Sequence, residues 1–276
     1  MNRTDDRHVV VGVDDALTCL PAVRVAARQA AARNAVLYVL HAAARHDAPH
    51  PCADPTAHAA AVAADEIPGL TVRQITVPGS AEFVLRTEAT RAGLVVIGHR
   101  GRAVRTARVF GSLGLRLVGR TSCPLLIARC AGNPAGPVVV GMDEPSASDA
   151  VLREAFRQAH MLRRPLRVVH AWHARVPVLA GPPVSYGHEL LAMFSEEAVA
   201  ADVERMAVEF PDVAVSIDVL EGRDRPTLLA ATADAAMLVV GAHRDSGAHG
   251  LIAGTMAMTA AAYGSCPVLV VAEPRR

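Results

Sequence analysis

The sequence predicts an α/β protein built from two tandem, doubly wound α/β sandwiches, each with a five-stranded parallel sheet. Three observations predict this fold class. Landmark segments of the first half recur in the second half. Short apolar runs rich in valine alternate with longer segments rich in alanine and arginine. The apolar runs are continuous, which is typical of parallel strands that are covered by helices on both faces.

An internal duplication is visible because matching segments occur in the same order in both halves. The early matches are offset by 129 residues, as in VVVGVDD at 9–15 and VVVGMDE at 138–144. The later matches are offset by 143 residues, as in LVVIG at 94–98 with MLVVG at 237–241 and SCPLL at 122–126 with SCPVL at 265–269. The change of offset indicates 14 additional residues between the second and third strands of the second half. We therefore predict domains at 1–132 and 138–276, joined by a linker at 133–137 that is rich in proline.

The individual elements follow from runs of apolar, mostly β-branched residues and from the spacing between them. The predicted strands of the first half are Val9–Val13, Val36–His41, Val72–Val77, Leu94–Gly98 and Leu125–Ala128. Those of the second half are Val138–Met142, Leu166–His170, Val213–Leu220, Leu238–Gly241 and Val268–Val271. The predicted helices include Ala22–Arg33, Glu82–Arg91, Ser148–Arg163, Glu189–Phe210, Pro226–Ala235 and Thr255–Tyr263. Ligands of such sheets bind at the carboxyl ends of the strands, so we look for a site there.

The carboxyl ends of the first half carry a candidate phosphate site. The first strand ends in Gly12 and Asp14, and the fourth strand leads into a Gly-x2-Gly-x9-Gly-Ser motif formed by Gly98, Gly101, Gly111 and Ser112. Glycines let backbone N–H groups approach an anion, and a serine N-cap lies at the positive end of a helix. Positive charge surrounds this loop at Arg100, Arg102, Arg105 and Arg108. The alternative is that the glycines form turns and the arginines a solvated surface; the strand context, the N-cap and Asp14 together favour the phosphate site.

The composition excludes several classes of protein. All 28 basic residues are arginine, which excludes Schiff-base chemistry and the Walker-type phosphate loop because both need a lysine amine. A net charge of +1 argues against nucleic-acid binding, and no apolar run approaches the ~18 residues of a membrane span. The polar N-terminus lacks a hydrophobic signal segment, so we expect a cytoplasmic protein. The five cysteines contain no CxxC pair, so reduced thiols are expected, with core packing for Cys123 and Cys266.

These features together resemble the universal stress protein family. The glycine motif matches without exception, Asp14 matches the aspartate that ends the first strand, and the fifth strand starts with Cys-Pro and aliphatic residues. The resemblance spans nearly the whole chain in two copies. It implies a Rossmann-like, flavodoxin-like fold that holds an adenine nucleotide, usually ATP, with the base near Asp14 and the phosphates in the glycine loop. The loop residues expected to contact the ligand through their backbone are His99, Arg100 and Arg102.

The resemblance also implies how the two halves assemble. The fifth strands, at 125–128 and 268–271, are edge strands in this family's order, and unpaired edges favour pairing. We expect them to meet across a pseudo-twofold axis, so that the chain is an intramolecular pseudo-dimer. A further homodimer is consistent with the resemblance.

The second half departs from the family pattern at one position. It keeps the matching residues Gly141, Asp143, Gly241, His243, Gly254 and Thr255. However, Arg244 stands where the second glycine of the motif is expected. A positive φ there would be strained, and the side chain would enter the phosphate space; alternatively, its guanidinium itself pairs with phosphate. We hypothesise that the second half binds nucleotide more weakly or in a changed pose.

Other chemically active residues give weaker signals. The cluster His46, His50, Cys52, Asp54 and His58 lacks a standard metal-site spacing and lies among prolines, which favours a surface loop. His41 and His170 recur at the end of the second strand, where we expect a packing or hydrogen-bonding role. No catalytic signature of the related nucleotidyl transferases or pyrophosphatases occurs, so we expect ATP, with or without Mg²⁺, to be a regulatory ligand and not the substrate of a fast enzyme. The alternatives are a slow ATPase that uses the same pocket and a nucleotide-free interaction module.

Overall fold

The structure is a computed structural model that describes residues 8–14, 20–43, 54–99, 113–129, 132–142, 149–172, 185–221, 224–242 and 255–272. Within these ranges the backbone alone is described for residues 171–172, 185–195, 221, 224–225 and 255. The elements of the first repeat are β1 (Val9–Val13), α1 (Leu20–Ala32), β2 (Leu37–Ala43), α2 (Pro55–Glu66), β3 (Val72–Pro78), α3 (Ala81–Glu88), β4 (Leu94–Gly98), α4 (Leu113–Leu117) and β5 (Leu125–Ala128). Those of the second repeat are β6 (Val138–Met142), α5 (Asp149–Leu162), β7 (Leu166–Trp172), α6 (Ser185–Ala207), β8 (Val215–Glu221), α7 (Asp224–Ala231), β9 (Met237–Ala242), α8 (Thr255–Tyr263) and β10 (Val268–Ala272).

The first compact unit comprises Met1–Ala131, Ala242–Ala262 and Pro267–Arg276. Its strands lie in the order β3-β2-β1-β4-β5, and all of these neighbours are parallel. β10 pairs with β5 in the antiparallel direction. This order reverses between β1 and β4, so the carboxyl ends of these two strands flank the crevice where doubly wound sheets bind ligands.

The second compact unit comprises Gly132–Gly241 and Tyr263–Cys266. Its strands lie in the order β9-β6-β7-β8, again all parallel, which repeats the order β4-β1-β2-β3 of the first unit. The predicted fold class is therefore confirmed. The compact units differ from the sequence repeats, because β10 and most of α8 belong to the first unit. The domain boundaries at 1–132 and 138–276 stay predictions.

Aliphatic packing holds the sheets together, as a chain with 3% aromatic residues requires. The strand valines Val9–Val11 and Val138–Val140 are fully buried. In α1 the residues that face the sheet are mostly alanines, which let the helix approach the strands closely. Cys123 and Cys266 are buried in the core, as expected.

The helix α2 corrects the expectation of a surface loop for the cluster that ends at His58. Asp54 is its N-cap: its Oδ1 accepts from the backbone N of Thr56 at 2.9 Å, and Pro55 takes the first helical position. Both are standard helix-start signals, which were present in the sequence. The other cluster members, His46, His50 and Cys52, lie outside the described residues.

The 14-residue length difference between the repeats falls where the offsets predict it. The helix α6 has 23 residues, whereas its counterpart α2 has 12. In the half of α6 with described side chains, Val199, Val203 and Met206 are buried and the acidic residues Glu197 and Glu204 are exposed. This half of α6 is therefore amphipathic, with its apolar face turned towards the core. None of the helices within the described ranges is long and apolar enough to cross a membrane.

The segment that joins the repeats is tied to the second unit. Asn133 donates from Nδ2 to Oδ1 of Asp234 at 2.7 Å, and its Oδ1 accepts from the backbone N of Ala135 at 3.0 Å. Gly132 has a φ of +107°, and a Cβ there would lie 2.9 Å from Cβ of Cys266. Only glycine combines this backbone conformation with this close approach.

Candidate functional site

A pocket of about 370 Å³ opens at the carboxyl ends of the strands in the first unit. Its floor is formed by the last residues of three neighbouring strands and the residues that follow them. These are Gly12, Val13 and Asp14 from β1, Leu40, His41 and Ala42 from β2, and Ile97, Gly98 and His99 from β4. The pocket therefore lies at the place where the strand order predicts a ligand.

The walls of the pocket come from helices and from the second repeat. The wall residues are Ala81 and Leu85 of α3, Leu113, Gly114 and Arg116 of α4, Ile127 of β5, and Ala261 of α8. The backbone O of Ala261 also accepts a hydrogen bond from Nη2 of Arg129. Because α8 belongs to the second sequence repeat, that repeat contributes to the pocket of the first.

Gly12 lies in close contact with helix α3. A Cβ at this position would lie 3.3 Å from Cδ1 of Leu85, which packs over the strand. The second repeat reproduces the arrangement more tightly, because a Cβ on Gly141 would lie 2.8 Å from Cδ2 of Leu228. Both glycines therefore let a leucine of the third helix of their repeat, Leu85 of α3 or Leu228 of α7, approach the end of the first strand of that repeat.

His41 fixes the end of β1 directly before Asp14. Its Nδ1 lies 3.2 Å from the backbone O of Val13. A carbonyl oxygen can only accept, so Nδ1 carries a proton, and in the neutral ring Nε2 is an acceptor. The second repeat makes the same bond, from Nδ1 of His170 to the O of Met142 at 2.9 Å. The expected hydrogen-bonding role of these two histidines is confirmed.

His99, which follows β4, also lines the pocket. Its backbone N donates to O of Ala128 at 2.9 Å, so this donor is already used within the sheet. Burial lowers the pKa of the imidazole, and the nearby Arg129 guanidinium lowers it further. The ring is therefore neutral at pH 7, with one ring nitrogen that donates a hydrogen bond and one that accepts.

The structure brings together four residues that the sequence nominated for the first site: Gly12, Asp14, Gly98 and His99 all line the pocket. In the second repeat Gly141 lies in β6 and Gly241 in β9, and Thr255 begins α8. The other nominated residues lie outside the described ranges: Arg100, Gly101, Arg102, Gly111, Ser112, Asp143, His243 and Gly254. The same holds for Arg244.

None of the wall residues was nominated from the sequence, and three of them illustrate why. Arg116 follows Ser112 by one helical turn, so helical spacing could have nominated it. Leu85 was detectable only through its pairing with Gly12, which needs the packing of α3 on β1. Ala261 had no local signal, because it reaches the pocket through the placement of α8 in the first unit.

The described charged residues around the pocket are not grouped as metal ligands. Among the residues that the structure describes, no group of three histidine, cysteine or acidic side chains is arranged to hold a metal ion. Asp54, the described aspartate of the histidine-rich cluster, is engaged by Thr56, and these hydrogen bonds lower its pKa.

Comparison with known families identifies this arrangement. The model of the universal stress protein family matches residues 6–129 and again residues 135–272. The chain belongs to the universal stress protein family. Both repeats of the chain are thus universal stress protein domains, which accounts for the duplication.

Full-length relatives of this universal stress protein occur in mycobacteria. One universal stress protein of Mycobacterium tuberculosis is 26% identical over 288 residues and covers 96% of both chains. Another from the same species is 28% identical over 300 residues, covering 99% of this chain and all of the relative. The alignments with these relatives therefore span both repeats of this chain.

Solved structures share the fold. A universal stress protein of Pseudomonas aeruginosa superposes with a TM-score of 0.70 at 17% identity, covering 98% of this chain and 95% of the other. A universal stress protein of Archaeoglobus fulgidus gives a TM-score of 0.62 at 14% identity, covering 99% of this chain and 100% of the other. At these identities the likeness concerns the fold alone.

Proposed function

We propose that this universal stress protein binds an adenine nucleotide, ATP, in the pocket of its first repeat and uses it as a regulatory ligand. The observation that carries this proposal is the convergence of Asp14, Gly98 and His99 around one pocket at the carboxyl ends of β1 and β4. The family to which the chain belongs and its glycine motif support the same ligand.

The chemistry of the described residues fits a nucleoside. Apolar side chains such as Val13, Leu40 and Ile97 suit the faces of a purine ring. The carboxylate of Asp14 can accept hydrogen bonds from ribose hydroxyls or from an amine of the base. A volume of about 370 Å³ lies in the range of small-molecule pockets. The part of the glycine motif between Arg100 and Ser112 lies outside the described residues, and its contribution rests on the sequence.

A regulatory role fits the shortage of catalytic groups. Asp14 is the one carboxylate among the described residues that line the pocket. It would serve either to hold the nucleoside or to hold Mg²⁺ beside the phosphates, and a single group of this kind is a poor basis for fast hydrolysis. A bound nucleotide that persists can instead favour one conformation or one partner.

The first experiment identifies the ligand. Nucleotide is released from the purified full-length chain and identified by mass spectrometry, and ATP, ADP, adenosine and GTP are titrated by calorimetry. We expect ATP to co-purify or to bind in preference to GTP. Failure of ATP to co-purify and to bind at millimolar concentration would refute the proposal. Phosphate release measured with Mg²⁺ in the same preparation separates a stable ligand from a slowly hydrolysed one.

The second experiment locates the ligand. Asp14→Asn keeps the shape of the side chain but removes its charge, and we expect it to weaken nucleotide binding by about tenfold, because hydrogen bonds to charged groups are stronger. Asp65→Asn, the same substitution at an exposed position of α2, is the matched control. Equal nucleotide affinities of the two variants would show that the nucleotide binds outside this pocket.

A further inference from the structure

Arg116, which lines the first-repeat pocket, belongs to a three-residue charge cluster with Glu82 and Arg120. Nε of Arg116 lies 3.1 Å from Oε2 of Glu82, and Nη1 of Arg120 lies 3.2 Å from Oε1 of the same carboxylate. Two guanidinium groups thus share one carboxylate, which leaves the cluster with a net positive charge. Arg116 lines the pocket, and Arg120, one turn further along the chain, is not among the lining residues.

The ion pair at Arg116 is exchangeable. The side chain of Arg116 is 48% exposed and that of Glu82 is 25% exposed. Solvent-exposed pairs of this kind stabilise a fold only weakly. A phosphate group that entered the pocket would offer the guanidinium a bidentate partner, for which arginine has the matching geometry. Glu82 would keep Arg120 after the exchange, so its carboxylate would still have a cation.

The two ends of the pocket differ in the chemical groups that they offer to a ligand. The strand order β2-β1-β4-β5 puts Asp14 and His41 towards one end. The other end, beyond β4, is formed by His99 and by α4 with Arg116. The end at Asp14 offers an acceptor for a neutral, hydrogen-bond-donating group, whereas the end at α4 offers a cation for an anionic group.

We propose that Arg116 binds the phosphate groups of the nucleotide held in the first-repeat pocket and distinguishes nucleotides from nucleosides. This inference rests on the proposed function and adds the residue that recognises the charged part of the ligand. The sequence indicates which of the two repeats makes this phosphate contact. At the later offset, the counterparts of Arg116, Glu82 and Arg120 are Thr259, Arg225 and Tyr263. The second repeat does not reproduce the cluster, so this phosphate contact belongs to the first repeat.

A matched pair of variants tests the proposal. Arg116→Gln and Arg120→Gln each remove one positive charge and one ion pair with Glu82, but only Arg116 lines the pocket. Adenosine, ADP and ATP are titrated against the full-length chain and both variants at low and high sodium chloride. We expect Arg116→Gln to weaken the binding of ATP and ADP about tenfold or more, because the charge-assisted contact is lost. The affinity for adenosine is expected to stay within about twofold of the wild-type value. Arg120→Gln is expected to stay within about twofold for all three ligands.

The other outcomes are equally decisive. Equal losses of ATP affinity in the two variants would show a general field effect and overturn the role of Arg116. An equal loss of adenosine and ATP affinity in Arg116→Gln would show that the residue supports the pocket and does not bind phosphate. If wild-type protein binds adenosine and ATP and Arg116→Gln changes neither, the proposed function stands and this inference fails. Thermal melts of each variant confirm folding, and Arg116→Lys, which keeps the charge without the fork, is expected to recover part of the lost ATP affinity.

Discussion

Leu126 of β5 lies directly opposite Leu269 of β10, and each is the counterpart of the other in the duplicated sequence. The neighbouring pairs are Ile127 with Val268 and Leu125 with Val270, which exchange under the same offset of 143. A local twofold axis therefore passes between the two leucines. The antiparallel pairing of the two edge strands that the family resemblance implied is confirmed, and it uses the hydrogen-bonding edge that each strand would otherwise expose.

The two leucines predict a strong effect on stability. Both are fully buried, so Leu126→Ala removes packed methyl groups and leaves a cavity. We expect it to lower the free energy of unfolding by about 3 kcal/mol, measured by urea denaturation. Leu269→Ala is expected to cost a similar amount, and the double variant to deviate from additivity because the side chains are neighbours. Leu220→Ala in β8, where the leucine is exposed, is the control, and a loss there as large as at Leu126 would contradict the explanation.

A second prediction concerns Gly12 and Gly141, the next-to-last residues of β1 and β6. A Cβ on Gly141 would lie 2.8 Å from Leu228, whereas one on Gly12 would lie 3.3 Å from Leu85. We therefore expect Gly141→Ala to destabilise the protein by about 1–3 kcal/mol and Gly12→Ala by less, since overpacking forces the neighbour to move. Thermal or urea unfolding measures both. Adding Leu228→Val to Gly141→Ala should restore part of the loss; a double variant as unstable as the sum of its singles would rule out the clash.

The sequence was sufficient for the parts of the fold that depend on local pattern. The valine runs of β1 and β6 predict buried parallel strands, and the duplication predicts that both repeats share one strand order. Four residues of the first pocket, Gly12, Asp14, Gly98 and His99, were recognisable because they end strands or belong to a spaced glycine motif. Such features involve residues that are close together in the chain, so they can be recognised without knowledge of the packing.

The remaining parts depend on packing between distant segments. Leu85 reaches the pocket because α3 packs over the missing side chain of Gly12. Ala261 reaches it because the end of the second repeat belongs to the first compact unit. The use of the backbone N–H of His99 within the sheet depends on its pairing with Ala128, which a motif comparison does not contain. Each of these facts joins residues far apart in the chain, and no pattern in one segment reports them.

A third prediction concerns the pH dependence of stability at α1 and α2. Glu66 accepts from Nη1 of Arg24 at 2.7 Å and from Nε of Arg28 at 2.6 Å, and these contacts, that of Arg24 first, lower its pKa. The stabilisation is complete above the pKa of about 4.3 in the unfolded chain and is lost as the pH falls through the lower folded value. We expect Glu66→Gln to cost about 1 kcal/mol at pH 7 and progressively less below pH ~4.

Urea unfolding of wild type and Glu66→Gln across this pH range measures the difference. Glu197→Gln, at an exposed position of α6, is the control and should show little effect at either pH. A destabilisation by Glu66→Gln that persists unchanged in acid would indicate that shape or hydrogen bonding, and not the charge of Glu66, is responsible.

The last prediction concerns acid sensitivity at the pocket itself. Burial, and secondarily Arg129, lowers the pKa of His99 below its ordinary value of about 6.5. As the pH falls below that value, the unfolded chain binds the proton before the folded one does, so stability is lost. His99→Gln should therefore flatten the fall in stability between about pH 7 and pH 5. It should not abolish the fall, because burial also lowers the pKa of His8. Unfolding measured at each pH, with exposed His58→Gln as the matched control, checks this expectation. A pH profile of His99→Gln that coincides with that of wild type would show that the ring is protonated in the folded protein as readily as in the unfolded chain.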